Sequence, residues 1–366
     1  MKINRIGLVV LLLLSWMAGF ACTSAIVSGS RTLSGRPLLW KHRDTSNANS
    51  RIAYIPGATD VELGYVGLFN ANDLKNRQAW MGMNESGFAV MNTASYNILP
   101  KGVKAGDREG YVMAKALKVC RTVDDFARFL DSLPRPMGVE ANFGVIDALG
   151  NGAYFETGND SYVRFDLKDA EDGILVRTNH SLSGRPGEGS GYMRPANALH
   201  MLTPVAKEGK VTPQILTERL SRSFYRDDIG HDMLADSIQF IQDLDYIPRY
   251  TSVATVVIEG MAPSDTLPSA EQVAREYIMW TGLGYPPVAE IMPVWMRPDG
   301  VAAALQGQGK NNHAPLADQA QAKRLDIFST RPCQGKKRFV DIDKLQMYMA
   351  PIKLRNCDTY DRYRNR

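Results

Sequence analysis

The sequence predicts an α+β fold: antiparallel sheets with helices segregated into outer layers. Three observations point there. Short strand-like runs fill residues 22–94, helix-periodic segments follow at 110–133, and strands and helices then return in blocks, not in strict alternation. Tight-turn signals join neighbouring strand runs. The chain has 366 residues, 44% hydrophobic and 22% charged, which is ample apolar material for a large core. No internal repeat is visible. The linker-like stretch 305–312 reads as a polar loop tip, so residues 22–366 form a single predicted domain.

The elements follow in order. Residues 22–28 are rich in small and β-forming residues, 29–36 read as a turn, and 37–42 as the returning strand. Further strands are expected at 51–55, 62–70, 77–83 and 88–94. Asn84-Glu85-Ser86-Gly87 joins the last two as a tight hairpin, with Gly87 suited to positive φ. Residues 110–119 are helical in pattern. Thr122 and Asp125 form a capping box that opens a helix over 123–133, where Val123, Phe126, Ala127 and Leu130 share a face. Strands return at 142–146, 153–157, 162–166 and 174–178. Helices are then expected at 193–202, at 213–224 behind Thr212 as N-cap, and at 232–244. Residues 252–259 are a strand, Ser269 with Gln272 is another capping box, and 277–283 and 289–295 are late strands.

Residues 1–21 have the composition of a signal peptide. Lys2 and Arg5 are its positive end, 8–14 its apolar run, and Gly19 and Ala21 the small residues before Cys22. The expected product is exported, periplasmic or extracellular, with no integral membrane segment after cleavage. The formal net charge of +4, part of it from Lys2 and Arg5, is too small to imply nucleic acid. None of the five histidines shows metal-ligand spacing, and no phosphate-cradling glycine loop is present, so no metal or cofactor is expected. Four cysteines are present. Cys120 reads as buried on a helix, and Cys333 with Cys357 is the natural pair if Cys22 stays free; sequence leaves that pairing open. The oligomeric state is not readable.

Cys22, at the predicted cleavage site, admits two chemistries. As the first residue of the processed chain it carries a thiol nucleophile and a free α-amine that can act as base, without a histidine. Alternatively, it is lipidated, and the domain is a non-catalytic surface lipoprotein. Gly19 and Phe20 are poor residues for a lipidation site, the bulky Phe20 the poorer.

The stretch C-T-S-A-I-V-S-G, followed by G-R-P-L-L-W-K-H-R-D-T, resembles the N-terminal hairpin of the cysteine N-terminal-nucleophile hydrolases. These linear-amide hydrolases include choloylglycine hydrolase, penicillin V acylase, the acid ceramidase group and the acyl-CoA:6-aminopenicillanic acid acyltransferases. The resemblance implies a four-layer αββα sandwich of two antiparallel sheets flanked by helices, with Cys22 as nucleophile and Asp44 orienting its amine. Lys41 stands where the family has arginine; it keeps the charge and loses the bidentate fork. Arg43, expected on the opposite face of the strand, compensates only if the strand bulges. G-M-N-E-S-G-F-A-V-M-N-T is similar to the family's turn leading to an asparagine, here Asn92, whose N–H would face the oxyanion. V-R-T-N-H and Y-M-R-P-A-N match the segments that supply Asn179 and Arg194, and His180 is placed to line the cleft. The resemblance implies a small-molecule N-acyl amide as substrate and hydrolysis through an acyl-thioester, with acyl transfer on the same scaffold as the alternative. It implies no cofactor.

Overall fold

A computed structural model describes residues 22–331 and 337–364. Strands β1 (Thr23–Val27) and β2 (Leu38–Asp44) form the expected first hairpin. Next come β3 (Ser50–Ile55), β4 (Tyr65–Asn70), β5 (Met81–Asn84) and β6 (Ala89–Ala94), then helices α1 (Glu109–Val119) and α2 (Val123–Ser132). β7 (Ala141–Ile146), β8 (Gly152–Thr157), β9 (Tyr162–Asp166) and β10 (Ile174–Arg177) precede α3 (Met193–Lys207). Short strands β11 (Tyr225–Arg226), β12 (His231–Asp232) and β13 (Phe240–Gln242) lead to β14 (Ser252–Glu259), α4 (Ala270–Glu276), β15 (Ile278–Leu283) and β16 (Ile291–Trp295). The chain closes with α5 (Pro315–Ile327), β17 (Phe328–Arg331), β18 (Lys337–Asp341) and α6 (Ile342–Arg364).

Two large antiparallel sheets result. One has six strands in the order β10-β1-β2-β14-β15-β16; the other has seven, running β3 to β9 in sequence. Side-chain alternation along each strand sorts residues into layers. Ile26, Leu39, Val256 and Met279 of the six-stranded sheet meet Val66, Met81, Met91 and Tyr154 of the seven-stranded sheet in one inter-sheet core. The outer face of the seven-stranded sheet packs Phe88, Val90 and Phe143 against Met113, Leu117, Phe126 and Leu130 of α1 and α2. The outer face of the six-stranded sheet packs Ala25, Leu38 and Trp40 against Ala198 and Leu202 of α3 and Tyr360 of α6. This is the α+β, αββα layering expected. Among the described residues no helix is long and apolar enough to cross a membrane.

Local chemistry explains the ends. Thr122 accepts from Asp125 N–H while Asp125 accepts from Thr122 N–H, the complete capping box. Gly87 sits at φ +83°, as the hairpin requires, and Asn84 Oδ1 accepts from Ser86 and Phe88 backbone N–H. Thr212 Oγ1 caps Ile215 N–H, but the segment behind it breaks into a π turn over Ile215–Arg219 and a 3-10 turn over Leu220–Arg222.

The helix expected at 232–244 does not form. Asp232 caps a single turn at Met233–Ala235, and Phe240–Gln242 pairs with β18. Only Ile241 is buried in this stretch while Ile238 is 40% exposed, so no apolar helical stripe exists to pack. α3 runs past 202 to Lys207, and α5 and α6 were not anticipated from the sequence. Cys120 is buried at the C-terminus of α1, and Cys357 is exposed. The Cys333–Cys357 pairing involves Cys333, which lies outside the described residues.

Candidate active site

Cys22 immediately precedes β1, and the register Thr23↔His42 sets it level with the end of β2, where Asp44 is the last residue. Its sulfur lies 3.8 Å from the Asp44 carbonyl oxygen, and the residue is 6% exposed. By alternation along β1, Cys22 shares the inter-sheet face with Ser24 and Ile26, while Thr23 and Ala25 face the outer helices. Cys22 thus stands between two sets of charged groups, one on each face of its sheet.

On the outer face, β2 contributes His42 and Asp44. β14 pairs Ser252 with Asp44 and Ala254 with Arg43, leaving Val253 as an extra, bulged residue. The bulge inverts the phase of the strand. It turns Ser252 to the outer face, where its hydroxyl donates to Asp44 Oδ1 at 2.6 Å. Arg249, three residues before β14, donates twice to Asp44 Oδ2 at 3.1 Å and to Asp245 at 3.2 Å. Asp245 also accepts from Arg194 at 2.9 Å. Arg194, fully buried on α3, donates to the Cys22 carbonyl at 2.7 Å, to Thr23 Oγ1 at 2.8 Å and to Asn179 Oδ1 at 3.0 Å. Asn179 Nδ2 donates to the Ala94 carbonyl at 2.8 Å, tying this network to the end of β6. A Cβ at Gly191 (φ +78°) would fall 2.0 Å from Arg194 Nη2, so the guanidinium occupies space that only glycine leaves free.

The electrostatics follow from burial. Burial raises the Asp44 carboxyl above the usual carboxylate range, against the pull of Arg249 and Arg194. Burial lowers Arg194 to about 10, with Arg249 adding to the effect and Asp245 and Asp44 opposing it. His42 is pushed well below its ordinary value by burial, then by Arg249 and Arg194, and is neutral. The Ser252 proton goes to Asp44, so His42 Nε2, 2.9 Å from Ser252 Oγ, is the donor in that pair, and His42 Nδ1 has no hydrogen-bond partner among the described residues.

On the inter-sheet face, β2 contributes two cations, Lys41 and Arg43. Lys41 Nζ donates to the Trp80 carbonyl at 2.7 Å and to Asn92 Oδ1 at 2.8 Å. Arg43 donates to Ser50 Oγ and Asn70 Oδ1 at 2.8 and 2.7 Å, and its guanidinium lies 5.0 Å from the Trp80 ring centroid. Neither cation has a carboxylate partner among the described residues. Burial lowers Lys41 to about 7 and Arg43 to about 10, and a charge on Cys22 acts in the opposite sense on both. Lys41 and Arg43 therefore share one face, which corrects the expectation that Arg43 points to the opposite side. Residues two apart on a strand face alike, and the bulge sits in β14, not β2.

The structure brings Cys22, Asp44, Asn179 and Arg194 into one network, while Asn92, on the other sheet, is bonded to Lys41 of the strand that ends at Asp44. His180 stacks on Tyr192 at 4.1 Å, and its Nδ1 lies near Thr178 Oγ1 and the Ser190 carbonyl; no contact joins it to Cys22. Arg249, Asp245 and Ser252 were missed. Their only sequence signal is a cluster of charged residues just before a clear strand. Among the described residues no group of three His, Cys, Asp or Glu side chains is placed to hold a metal ion.

Residues 63–201 match the family model described as acyl-coenzyme A:6-aminopenicillanic acid acyl-transferase. That match bears out the resemblance to this family read from the sequence, and it spans Asn92, Asn179 and Arg194. No curated protein matches the chain. Solved structures similar to it include a Caenorhabditis elegans ortholog of N-acylethanolamine-hydrolyzing acid amidase, with 14% identity, TM-score 0.41, and coverage of 71% of this chain and 99% of that one. A mutant of conjugated bile acid hydrolase from Clostridium perfringens is 13% identical at TM-score 0.42, covering 77% and 95%. Penicillin V acylase from Agrobacterium tumefaciens is 11% identical at TM-score 0.38, covering 75% and 86%.

Proposed function

We propose that this protein is an exported hydrolase of linear, non-peptide N-acyl amides, with Cys22 as nucleophile once residues 1–21 are removed. The observation that carries the reading is the charge arrangement at Cys22. Two buried cations without carboxylate partners, Lys41 and Arg43, act on its sulfur from the inter-sheet face. The balanced set Asp44, Arg249, Asp245 and Arg194 anchors its backbone from the other. Cations solvated only by neutral dipoles favour an anion beside them, and the oxyanion of a tetrahedral intermediate is such an anion.

In the proposed mechanism the α-amine of Cys22 takes the thiol proton and the thiolate adds to the amide carbonyl. The Asn92 side-chain N–H holds the developing oxyanion. The C–N bond breaks as the ammonium returns its proton to the leaving amine, and an acyl-thioester remains on Cys22. Water then adds, with the amine again as base, and releases the carboxylic acid. Asp44, which has lone pairs beyond those taken by Ser252 and Arg249, favours the protonated amine. No step calls on a metal or cofactor.

Acyl transfer is the same chemistry with an amine in place of water at the second step, and the description of the matching family model favours keeping it as the second reading. Turnover of a panel of N-acyl amides by the processed chain, with and without added amine acceptors, tests both readings. The Cys22→Ala variant is expected to lose all turnover and to melt within about 2 °C of wild type; turnover by that variant would refute the role of Cys22.

A further inference from the structure

We propose that Lys41 is a positioning residue: its ammonium fixes the amide of Asn92 so that Nδ2, not Oδ1, is presented to the acyl oxygen. This rests on the reading of Cys22 as nucleophile and adds to it the device that orients the oxyanion donor.

An asparagine amide has an acceptor end and a donor end of nearly the same shape, and only its partners decide which points where. Asn92 is 4% exposed, so water cannot compensate a wrong choice. Below about pH 7, where Lys41 is an ammonium, its Nζ has donors and no acceptor. Lys41 Nζ, 2.8 Å from Asn92, must face the oxygen; the flipped amide would set NH2 against the ammonium and lose the bond. The second contact, to the Trp80 carbonyl at 2.7 Å, pins Nζ at the position where β5 begins beside β6. With Oδ1 held, Nδ2 is the free end and has no hydrogen-bond partner among the described residues. The Lys41 stem reaches this point from β2, the strand that also ends at Asp44 beside the Cys22 sulfur. One strand thus positions the groups on both sides of the reacting centre. A lysine suffices where a fork of donors is not needed, because one acceptor on Asn92 and one on Trp80 are all that must be met.

The test uses the processed chain, single-turnover acylation by a fatty-acyl p-nitroanilide, and the side-chain amide signals of 15N-asparagine-labelled protein. Lys41→Met is expected to slow acylation about 10²-fold with little change in KM, the size of effect seen on losing one oxyanion donor. Lys41→Arg, also donor-only, is expected to restore most of the rate. Adding Lys41→Met to Asn92→Ala is expected to cost well under the roughly 10²-fold of Lys41→Met alone, because the part of its effect that runs through the asparagine is already lost. The Asn92 amide pair, assigned by its loss in Asn92→Ala, is expected to shift or broaden in Lys41→Met and to return in Lys41→Arg. Losses that multiply in full in the double variant, or an Asn92 signal indifferent to Lys41, overturn the proposal. Should Lys41→Met not fold, Asn92→Asp decides. It keeps the pair with Lys41 and lacks the N–H, so a full acylation rate in that variant also overturns the proposal. If wild type is not acylated, the reading of function fails, and the amide signals alone then support or overturn the role of Lys41.

Discussion

On the α1–α2 side of the seven-stranded sheet, Phe126 is fully buried and meets Phe143 and Phe155 edge-on at 5.8 and 5.1 Å, with Phe88 at 6.1 Å. At the Cys22 end of the six-stranded sheet, Lys41, Arg43, Asp44 and Arg194 are buried almost as completely, at 3% exposure or less. The first region removes apolar surface from water and needs no partner for any atom. The second places charges where each costs several kcal/mol to desolvate, and is held only because nearly every donor there finds an acceptor. Equal burial therefore separates a region built for stability from one that stability alone would not select.

Breaking the apolar region should cost folding and spare chemistry. Phe126→Ala is expected to destabilise by about 3–5 kcal/mol, since its ring fills the space between α2 and β7–β8, while activity per folded molecule stays near wild type. Chemical denaturation with parallel rate measurements checks both halves; a specific-activity loss beyond the folded fraction would blur the distinction. Breaking the charged region should do the reverse in proportion. Asp44→Asn keeps an acceptor for Ser252 but removes one carboxylate partner of Arg249, whose pair with Asp245 stays. The expected cost is about 3 kcal/mol, with acylation of Cys22 falling below detection. Retained acylation in a folded Asp44→Asn protein would remove Asp44 from the mechanism.

The smallest effect sharpens the comparison at a carboxylate that belongs to neither region. Glu109, at the start of α1, is buried, and burial raises it to about 7, while the Glu140 N–H that it accepts at 2.9 Å pulls the other way. A raised carboxyl pKa means that the folded state holds its proton longer than the unfolded chain does. Its contribution is fully present below about pH 4.5 and is lost as pH rises through 7. Glu109→Gln keeps the acceptor and removes the charge. Between pH 5 and pH 8 the wild type is expected to lose on the order of 2 kcal/mol relative to this variant, measured by urea unfolding. Parallel pH dependence of the two proteins would contradict the assignment.

Much of the apolar framework was legible, because period and caps are local. The β1–β2 hairpin, the Thr122–Asp125 capping box, the Gly87 turn and β14 stand where alternation and turn chemistry put them. The segment before β14 was not legible. Its residues were read as a helix continuing to 244, yet they form β13 by pairing with β18, a partner about 100 positions away. Asp245 and Arg249, just past that stretch, carry no local signal, because their contacts come from meeting Asp44 and Arg194 in space. The phase of Ser252 depends on a one-residue bulge that no composition signal marks. Motif order singles out Asp44, Asn179 and Arg194, and a chain of bonds through Arg249 and Asp245 connects them in space. What motif order could not supply was the link between Lys41 and Asn92, because it joins two strands of different sheets.

The central claim is that a free sulfhydryl and amine on Cys22 together carry the acyl group. The most direct test is the mass of the N-terminal peptide of the exported protein, before and during a single turnover with an N-acyl amide, stopped and digested in acid. The account predicts a peptide beginning at an unmodified Cys22 that gains the mass of the acyl group, an adduct removed by hydroxylamine. A diacylglyceryl adduct on Cys22, or a peptide beginning elsewhere that never takes up the acyl group, would contradict it.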